Sequence, residues 1–316
     1  MSRRMQRTLL AACAGLALSL SACSSTAGNA AGATGSQNGS FPVSVAAANG
    51  RVHIGARPHA IVSLSPTATE MLFAIGAGAQ VRAVDKDSNY PRQAPHSALD
   101  GFQPNVEAIG SYRPDLVVVA GDSTGLTGRL GALGIPVLSL PAAATLADVY
   151  GQFDELGVTT GHSAAARAEV SHVRSQIAQI VQTTPRSFAG RTYYYELDPT
   201  YFSVTSSTFV GRVLGLLGLH NIADTAAGAA SSGGYPQLSS EFVVQSNPDY
   251  VFLADTICCG QNGQTVGARP GWSTVKAVTT GHVVALNDDI ASRWGPRVVD
   301  LLRTVAAALP RHVSGP

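Results

Sequence analysis

Short apolar runs alternate along the chain with longer segments in which apolar residues recur every three or four positions. The runs have the length and β-branched content of buried strands, and the longer segments predict helices with one buried face. Strands that alternate with helices predict mainly parallel sheets covered by helices, which is an α/β fold. The predicted strands are residues 59–65, 81–84, 116–120 and 137–140, followed by 192–197, 250–254 and 282–286.

One pattern of residues occurs twice, in the same order. In each copy an apolar helix that ends in glycine is followed by a Tyr-Pro pair, a glutamate and then a Pro-Asp pair that opens an apolar strand. Four features repeated in one order predict two lobes of similar build. Thr67 and Glu70 also have the spacing of a capping box at the start of the first helix. The helices are residues 69–76 and 209–218, the Tyr-Pro pairs 90–91 and 235–236, the glutamates Glu107 and Glu241, and the Pro-Asp pairs 114–115 and 248–249.

The segment between the two copies predicts one continuous helix. Apolar residues within 163–183 are spaced three or four apart and form a single stripe along a helix of about 30 Å. Because no hinge rich in glycine and serine separates the copies, we expect a stiff connection and little closure of the lobes on a ligand. The expected divisions are an N-terminal lobe at 57–160, a connecting helix at 161–185 and a C-terminal lobe at 186–316.

The first residues have the features of an exported protein. Three arginines precede the apolar stretch 8–20, which is shorter than the about 20 residues that span a bilayer and therefore predicts a signal peptide. The stretch leads into Leu-Ser-Ala-Cys, which resembles a bacterial lipobox and implies removal of 1–22 and lipidation of Cys23. An ordinary secretory signal, with Cys23 incidental, is the alternative. Residues 24–40 are small or polar, so 23–56 is expected to be a flexible tether.

Composition excludes two classes of protein. The chain has 45% hydrophobic residues, which is enough for a packed core and excludes general disorder. Lys and Arg number 21 against 20 Asp and Glu, so no basic surplus exists to bind nucleic acid.

Several segments together resemble the substrate-binding lipoproteins of ABC importers for ferric siderophores, haem and vitamin B12. Besides the lipobox, they are IVSLSPTATEMLFAIG (61–76), NYP (89–91), PNVEAIGSYRPDLVVV (104–119), YPQLSSEFVVQSNPDYVFL (235–253) and DDIASRWGPRVVDLL (288–302). The resemblance runs from about residue 57 to the C-terminus. It implies two α/β lobes joined by one long helix, with the ligand held between them.

The resemblance also implies partners and a location. The protein would be a monomer, anchored by lipid to the outer face of the bacterial cytoplasmic membrane, that delivers its ligand to a permease dimer with ATPase subunits. NYPRQAP (89–95) and YPQLSSE (235–241) look more like the vitamin B12 binders, which favours a corrinoid over a ferric siderophore or haem. No enzyme activity or resident cofactor is implied, and any cobalt or iron belongs to the transported ligand.

The resemblance assigns Glu107 and Glu241 a docking role. They would contact arginines of the two permease subunits, and one glutamate per lobe suits a partner with two-fold symmetry. Exposed pairs of this kind set register and association rate more than affinity. The alternative is that both are ordinary solvated helix residues.

Loops beyond the carboxyl ends of parallel strands are where ligands bind in such sheets. In a chain with 6% aromatic residues, the concentration of aromatic side chains in these loops indicates flat walls for a macrocycle, although some of them are expected to pack in the core. Arg293 is a candidate partner of an anionic ligand, and Arg297 either shares that role or faces water at the start of the last helix. The polar candidates are Ser65, Asp122, Ser123, Asp198 and Asp255, and the aromatic candidates are Tyr90, Phe102, Tyr201, Phe202, Tyr235 and Trp294.

Cys258 and Cys259 directly follow a predicted strand at the rim of the expected cleft. Outside the cell, neighbouring thiols tend to oxidise, so a vicinal disulfide is one interpretation and two buried thiols are the other. Contact with the ligand is a further hypothesis.

Three other functional classes have weaker support in the sequence. Gly-Asp-Ser-Thr-Gly at 121–125 matches the G-x-S-x-G nucleophile pattern, so a secreted serine hydrolase with Ser123 and His282 is the alternative function. A purely adhesive lipoprotein would not require a repeated two-lobe cleft. A zinc or manganese binder would need convergent histidines, but the eight histidines show no such spacing and no metal site is predicted. They are residues 53, 59, 96, 162, 172, 220, 282 and 312.

Overall fold

The computed structural model describes residues 40–122 and 124–309; Cys23, the expected signal peptide and Ser123 lie outside them. In these two ranges we find no helix with the length and hydropathy that a membrane span requires. The strands are β1 (Val43–Ala47), β2 (Gly50–Ile54), β3 (Ile61–Leu64), β4 (Val81–Asp85), β5 (His96–Leu99), β6 (Leu116–Val119), β7 (Val137–Ser139), β8 (Thr192–Glu196), β9 (His220–Asn221), β10 (Tyr250–Leu253) and β11 (Val283–Ala285). The α-helices are α1 (Pro66–Ala74), α2 (Val106–Gly110), α3 (Leu126–Gly131), α4 (Leu146–Thr160), α5 (Ser163–Thr183), α6 (Phe209–Gly215), α7 (Ser240–Ser246), α8 (Gly263–Gly267), α9 (Lys276–Thr279), α10 (Asp288–Ser292) and α11 (Val298–Ala308).

Two parallel sheets form the two lobes. The first has the strand order β5-β4-β3-β6-β7 and the second β11-β10-β8-β9. All residues of β3, β6 and β10 are buried, as expected of parallel strands covered on both faces. The predicted α/β class with two lobes is therefore confirmed. Each of the seven predicted strands is present, whereas β5 and β9 were missed.

An antiparallel hairpin precedes the first lobe. β1 and β2 pair with Val45 opposite Val52, so residues 43–54 are folded and the expectation of a flexible tether as far as residue 56 is wrong. The sequence carried the signal, because an Asn-Gly turn at 49–50 flanked by alternating apolar residues is a strong hairpin pattern. Asn49 ties the turn to the edge of the first sheet, donating from Nδ2 to the Val137 carbonyl oxygen at 2.8 Å.

The repeated Pro-Asp pairs fasten neighbouring strands. Asp115 accepts hydrogen bonds from the backbone N–H groups of His59 and Ala60, at 2.7 and 2.9 Å, just before β3. Asp249 accepts from the N–H of Thr192 at 2.9 Å, where β8 begins. Each aspartate directly precedes one strand, β6 or β10, and holds the amino end of the adjacent strand, β3 or β8, so the repeat has a structural cause.

Helix α1 begins differently from the prediction. Ser65 is its N-cap and accepts from the N–H of Ala68 at 3.3 Å, with Pro66 in the first turn. The capping box predicted at Thr67 and Glu70 is therefore wrong. Glu70 is buried and has other partners, described below.

The long helix α5 has the bounds that the apolar stripe predicted. It packs against α4 at the first lobe and against α11 of the second. One apolar cluster contains Val118 of the first sheet, Tyr193 of the second, Val173 of α5 and Leu302 of α11. The described part of the two lobes therefore shares a core instead of being linked by a flexible segment.

Candidate ligand-binding cleft

The two sheets meet along a seam at their carboxyl edges. Asn89, in the loop after β4, donates from Nδ2 to Asp289 Oδ2 of α10 at 2.7 Å. Arg293, just after α10, donates to Asn89 Oδ1 and to the Asp87 carbonyl oxygen, both at 3.0 Å. Because the loop follows β4 and α10 follows β11, the carboxyl edges of both sheets face each other here. Ligands of parallel sheets bind beyond such edges, so the candidate cleft begins at this seam.

A buried ion cluster adjoins the seam. The side chain of Glu70, on α1, has no solvent exposure and accepts from Arg293 Nη1 and Arg297 Nε, both at 2.9 Å. Arg293 also pairs with Asp289 at 2.7 Å. Two guanidinium groups from one lobe therefore compensate a buried carboxylate from the other, which is what makes the burial of such a charge tolerable.

This cluster changes the interpretation of both arginines. Their side chains are only 9% and 14% exposed, for Arg293 and Arg297 respectively. Arg297 stands at the N-cap of α11 as one alternative proposed, but its guanidinium lies over the ring of Tyr90 at 4.2 Å and does not face water. Contact of Arg293 with a ligand stays a prediction. Glu70 was missed as a structural partner, and the available signal was a glutamate inside an otherwise apolar helix.

Aromatic side chains are exposed at the carboxyl edges of both sheets. Tyr90 follows β4, Phe102 follows β5, Phe202 follows β8, and Tyr235 lies in the long loop after β9. Their exposed fractions are 44%, 81%, 38% and 49%, respectively. Phe202 forms a β-bridge with Gln237, which brings it beside the Tyr235 segment. Exposed aromatic groups at the strand ends of both lobes are typical of a surface that binds a partner or ligand.

The loop of Phe102 is held in place despite its exposure. Asp100 Oδ1 accepts from the N–H groups of Phe102 and Gln103, at 2.8 and 3.0 Å. Gly101 passes so close to the end of β3 that a Cβ there would lie 2.8 Å from the Leu64 carbonyl oxygen. The backbone that carries Phe102 therefore requires glycine at this position.

Two of the six aromatic candidates belong to packed regions. The ring of Tyr201 stacks on that of buried Trp272, with centroids 6.1 Å apart. Trp294 packs against the shared core and donates from Nε1 to Gln152 Oε1 at 3.0 Å. This agrees with the expectation that some of these aromatic residues serve the core.

Most of the polar candidates form hydrogen bonds with backbone groups close to them in the sequence. Ser65 is 2% exposed and caps α1, and Asp198 accepts from the N–H of Thr200 at 2.7 Å. Asp122 is exposed and accepts from the N–H groups of Leu126 and Thr127. Burial acts against ionisation of Asp122, but these hydrogen bonds outweigh it and lower its pKa. Ser123 lies outside the described residues.

Asp255 is part of a buried carboxyl pair. It was expected at the cleft surface, but its exposure is 0% and its carboxylate oxygens have no hydrogen-bond partner among the described residues. Its neighbour Glu196 accepts two bonds of 2.6 Å from Arg269. Burial, and next the charge of Glu196, raise the pKa of Asp255 to about 7. Sequence reasoning missed Glu196 and Arg269, although a glutamate at the end of the aromatic strand β8 was a signal.

Cys258 and Cys259 are joined as a disulfide in the loop after β10, and both residues are exposed. Asp288 of α10, which the sequence did not single out, accepts the backbone N–H groups of this loop.

A cavity of about 390 Å³ lies between α1, α5, α11 and the loop after β4, and Glu70, Tyr90 and Arg297 line part of it. Its wall includes Phe73 of α1, His172 and Gln176 of α5, and Asp300 of α11. Among residues 40–122 and 124–309, no three His, Cys, Asp or Glu side chains are grouped so that they could hold a metal ion.

Glu107 and Glu241 occupy equivalent positions. Each is the second residue of a short helix, α2 or α7, capped by Asn105 or Ser239, and each is exposed. A helix that follows a parallel strand starts at the carboxyl edge of the sheet. Both glutamates therefore lie toward the edges that border the cleft, one in each lobe.

The geometry does not support a serine hydrolase. His282 immediately precedes β11 and so lies at the amino edge of the second sheet, where its ring stacks on Tyr250 at 4.8 Å. Gly121 and Asp122, which precede Ser123 in the sequence, follow β6 at the carboxyl edge of the first sheet. This strand end and His282 are thus at opposite ends of different sheets.

Comparison with known proteins adds to this geometry. The periplasmic binding protein family model matches residues 61–290. A cobalamin-binding protein of Halobacterium salinarum is 31% identical over 280 residues, which cover 85% of this chain and 74% of that protein.

Solved structures have the same fold. The periplasmic vitamin B12 binding protein BtuF of Vibrio cholerae superposes with a TM-score of 0.65 at 25% identity, covering 79% of this chain and 96% of that one. The periplasmic heme binding protein HutB of Vibrio cholerae gives a TM-score of 0.70 at 21% identity, covering 80% and 99%.

Proposed function

This chain belongs to the periplasmic binding protein family, and we propose that it captures a corrinoid outside the cytoplasmic membrane and delivers it to an ABC importer. The similarity to a cobalamin-binding protein and to a vitamin B12 binding protein supports this ligand over haem and ferric siderophores.

The exposed aromatic edge is the observation that carries the proposal. Tyr90 and Phe102 belong to one lobe, and Phe202 and Tyr235 to the other, so a large ligand between the lobes would meet flat apolar side chains on both sides. Such walls with few polar anchors suit a macrocycle.

The state of the arginines favours a ligand without acidic groups. Arg293 and Arg297 would be the natural partners of a siderophore or haem carboxylate, but Glu70 and Asp289 already engage their guanidinium groups. A corrinoid has an amide rim and needs no cationic partner. The engagement of both arginines therefore removes the main sequence argument for an anionic ligand.

Delivery involves surfaces outside the cleft. Glu107 and Glu241 contact the two permease subunits, one from each lobe, while Cys23 carries the lipid that keeps the monomer at the membrane. Two acyl chains are enough for stable anchoring.

A titration tests the ligand. The full chain, purified in detergent, is titrated by calorimetry with cyanocobalamin, haem and a panel of ferric siderophores, and tryptophan fluorescence is followed in parallel. We expect saturable binding of one cyanocobalamin per chain. Stoichiometric binding of haem or a siderophore, with none of cyanocobalamin, would contradict the corrinoid assignment. If none of them binds, the capture of a metal chelate by this chain is contradicted as well.

A further inference from the structure

The loop after β10 ends in an exposed apolar tip. We call residues Ile257, Cys258 and Cys259 the disulfide tip. Ile257 is 65% exposed, and both cysteines are exposed while joined to each other. The tip is uncharged and stands at the carboxyl edge of the second sheet, the same edge that carries Phe202 and Tyr235.

The tip is exposed but firmly held. The carboxylate of Asp288 accepts three successive backbone N–H groups, from Thr256 at 2.9 Å, Ile257 at 3.0 Å and Cys258 at 2.8 Å. The hydroxyl of Thr256 donates to the Leu286 carbonyl oxygen at 2.6 Å, which ties the loop to the end of β11. Hydrogen bonds to a carboxylate are about twice as strong as neutral ones, so these three bonds hold the backbone of the loop against the start of α10.

The residue next to Asp288 connects the tip with the other lobe. Asp289 accepts hydrogen bonds from Asn89 and Arg293, both at 2.7 Å. Two consecutive aspartates at the start of α10 therefore fix the tip on one side and the loop that carries Asn89 and Tyr90 on the other. The position of the tip is set relative to the aromatic wall of the opposite lobe.

We propose that the disulfide tip is a preformed apolar wall of the cleft, which packs against a flat, uncharged face of the ligand. The proposal rests on the proposed function of the cleft. An exposed apolar group on a rigid loop costs little conformational entropy when it becomes covered, and rigid groups of this kind add affinity by reducing that cost. The bond between neighbouring cysteines contributes by removing the side-chain freedom of both.

The test begins with the wild-type chain and the ligand that the titration identifies. Absence of binding to any of the ligands by the wild type would count against the proposed function and not against the tip alone. The intact chain is first alkylated without reductant, and the peptide that contains residues 258–259 is then analysed by mass spectrometry. It should remain unlabelled, and labelling of both cysteines would overturn the disulfide part of the proposal.

Two variants then address the contact. Ile257→Ser keeps the disulfide, and the double variant Cys258→Ser, Cys259→Ser removes it. We expect each to weaken ligand binding about tenfold, which corresponds to about 1.4 kcal/mol. Leu133→Ser is the matched control, because Leu133 is 61% exposed but lies before β7, at the amino edge of the first sheet. The control should leave the dissociation constant unchanged.

The outcomes separate a contact from a structural role. A weakened affinity with an unchanged melting temperature supports the proposal. If the double variant fails to fold, Ile257→Ser decides, because it leaves the bonds to Asp288 in place. Unchanged affinity in Ile257→Ser, or an equal loss in Leu133→Ser, would overturn it.

Discussion

At the scale of single residues, Glu70 shows how one charge relates the two lobes. Its carboxylate is fully buried, and its partners Arg293 and Arg297 come from the other end of the chain. Removing one member of a buried pair leaves the remaining charges uncompensated, which costs more than the pair contributes. The cluster is therefore vulnerable to a single substitution.

We expect Glu70→Ala to lower the free energy of unfolding by about 3–5 kcal/mol, because two guanidinium groups lose their buried partner. Chemical denaturation measures the change. Asp300→Asn is the control: it removes an ion pair with Arg303 in which both side chains are about half exposed, so its effect should stay below about 1 kcal/mol. Equal effects of the two substitutions would show that the Glu70 cluster contributes no more than a surface pair.

Asp255 gives a prediction about pH. Burial and the charge of Glu196 raise its pKa to about 7, so the folded chain holds a proton that the unfolded chain releases near pH 4. The stability that this proton provides is fully present below about pH 4 and is lost as the pH rises toward 7.

Asp255→Asn should therefore flatten the pH dependence between pH 4 and 7 and stabilise the protein at pH 8 relative to wild type. Each unit of raised pKa corresponds to about 1.4 kcal/mol. Unfolding midpoints measured from pH 4 to 8 test this. Asp122→Asn is the control, because a lowered pKa acts only below pH 4. If Asp255→Asn keeps the wild-type dependence of the unfolding midpoint on pH, a group other than Asp255 is responsible for it.

At the scale of elements, the paired aspartates explain why the sequence repeats. Asp115 and Asp249 each accept backbone N–H groups where β3 and β8 begin. Asp115→Ala and Asp249→Ala should each destabilise the protein by about 1.5 kcal/mol, because backbone N–H groups at the strand ends lose charged acceptors. Asp154→Ala, on the exposed face of α4, is the control and should have little effect. Thermal denaturation measures the change. If both variants lose no more stability than the control, fastening of the strands does not explain the repeat.

Local patterns predicted most elements, and long-range contacts account for what was missed. The strands β3, β6 and β10 were found because every residue in them is apolar or small. β9 has two residues and little apolar pattern, since its pairing with β8 is set by the rest of the sheet. The Thr67–Glu70 box failed for a similar reason: Glu70 pairs with residues 223 and 227 positions away, which no local spacing reveals.

The same limit applies to the cleft. That aromatic residues lie beyond the strand ends follows from the α/β alternation and could be predicted. Which of them are exposed depends on tertiary neighbours, such as Trp272 beneath Tyr201. The roles of Asp288 and Asp289 likewise depend on the meeting of two lobes, because their partners lie in the loops after β10 and β4.

At the scale of the whole molecule, the two lobes share one apolar cluster and the buried charges of Glu70 and its partners. Opening or closing the cleft widely would separate these groups and expose apolar surface to water. The expectation of little closure on ligand binding stays a prediction, and the shared core supports it. A molecule that closes little would present Glu107 and Glu241, the proposed docking residues, at a fixed separation.

Removal of the proposed docking residues should abolish ligand uptake by cells without changing the affinity of the protein for its ligand. The double variant Glu107→Ala, Glu241→Ala changes two exposed side chains, one at the start of α2 and one at the start of α7. We expect an unchanged dissociation constant for the ligand and a loss of ligand uptake by cells of at least tenfold. Asp154→Ala with Glu169→Ala removes the same formal charge from α4 and α5 and should leave uptake intact. A loss of ligand binding in the first variant would show that the glutamates belong to the cleft. Normal uptake would show that they are ordinary solvated helix residues.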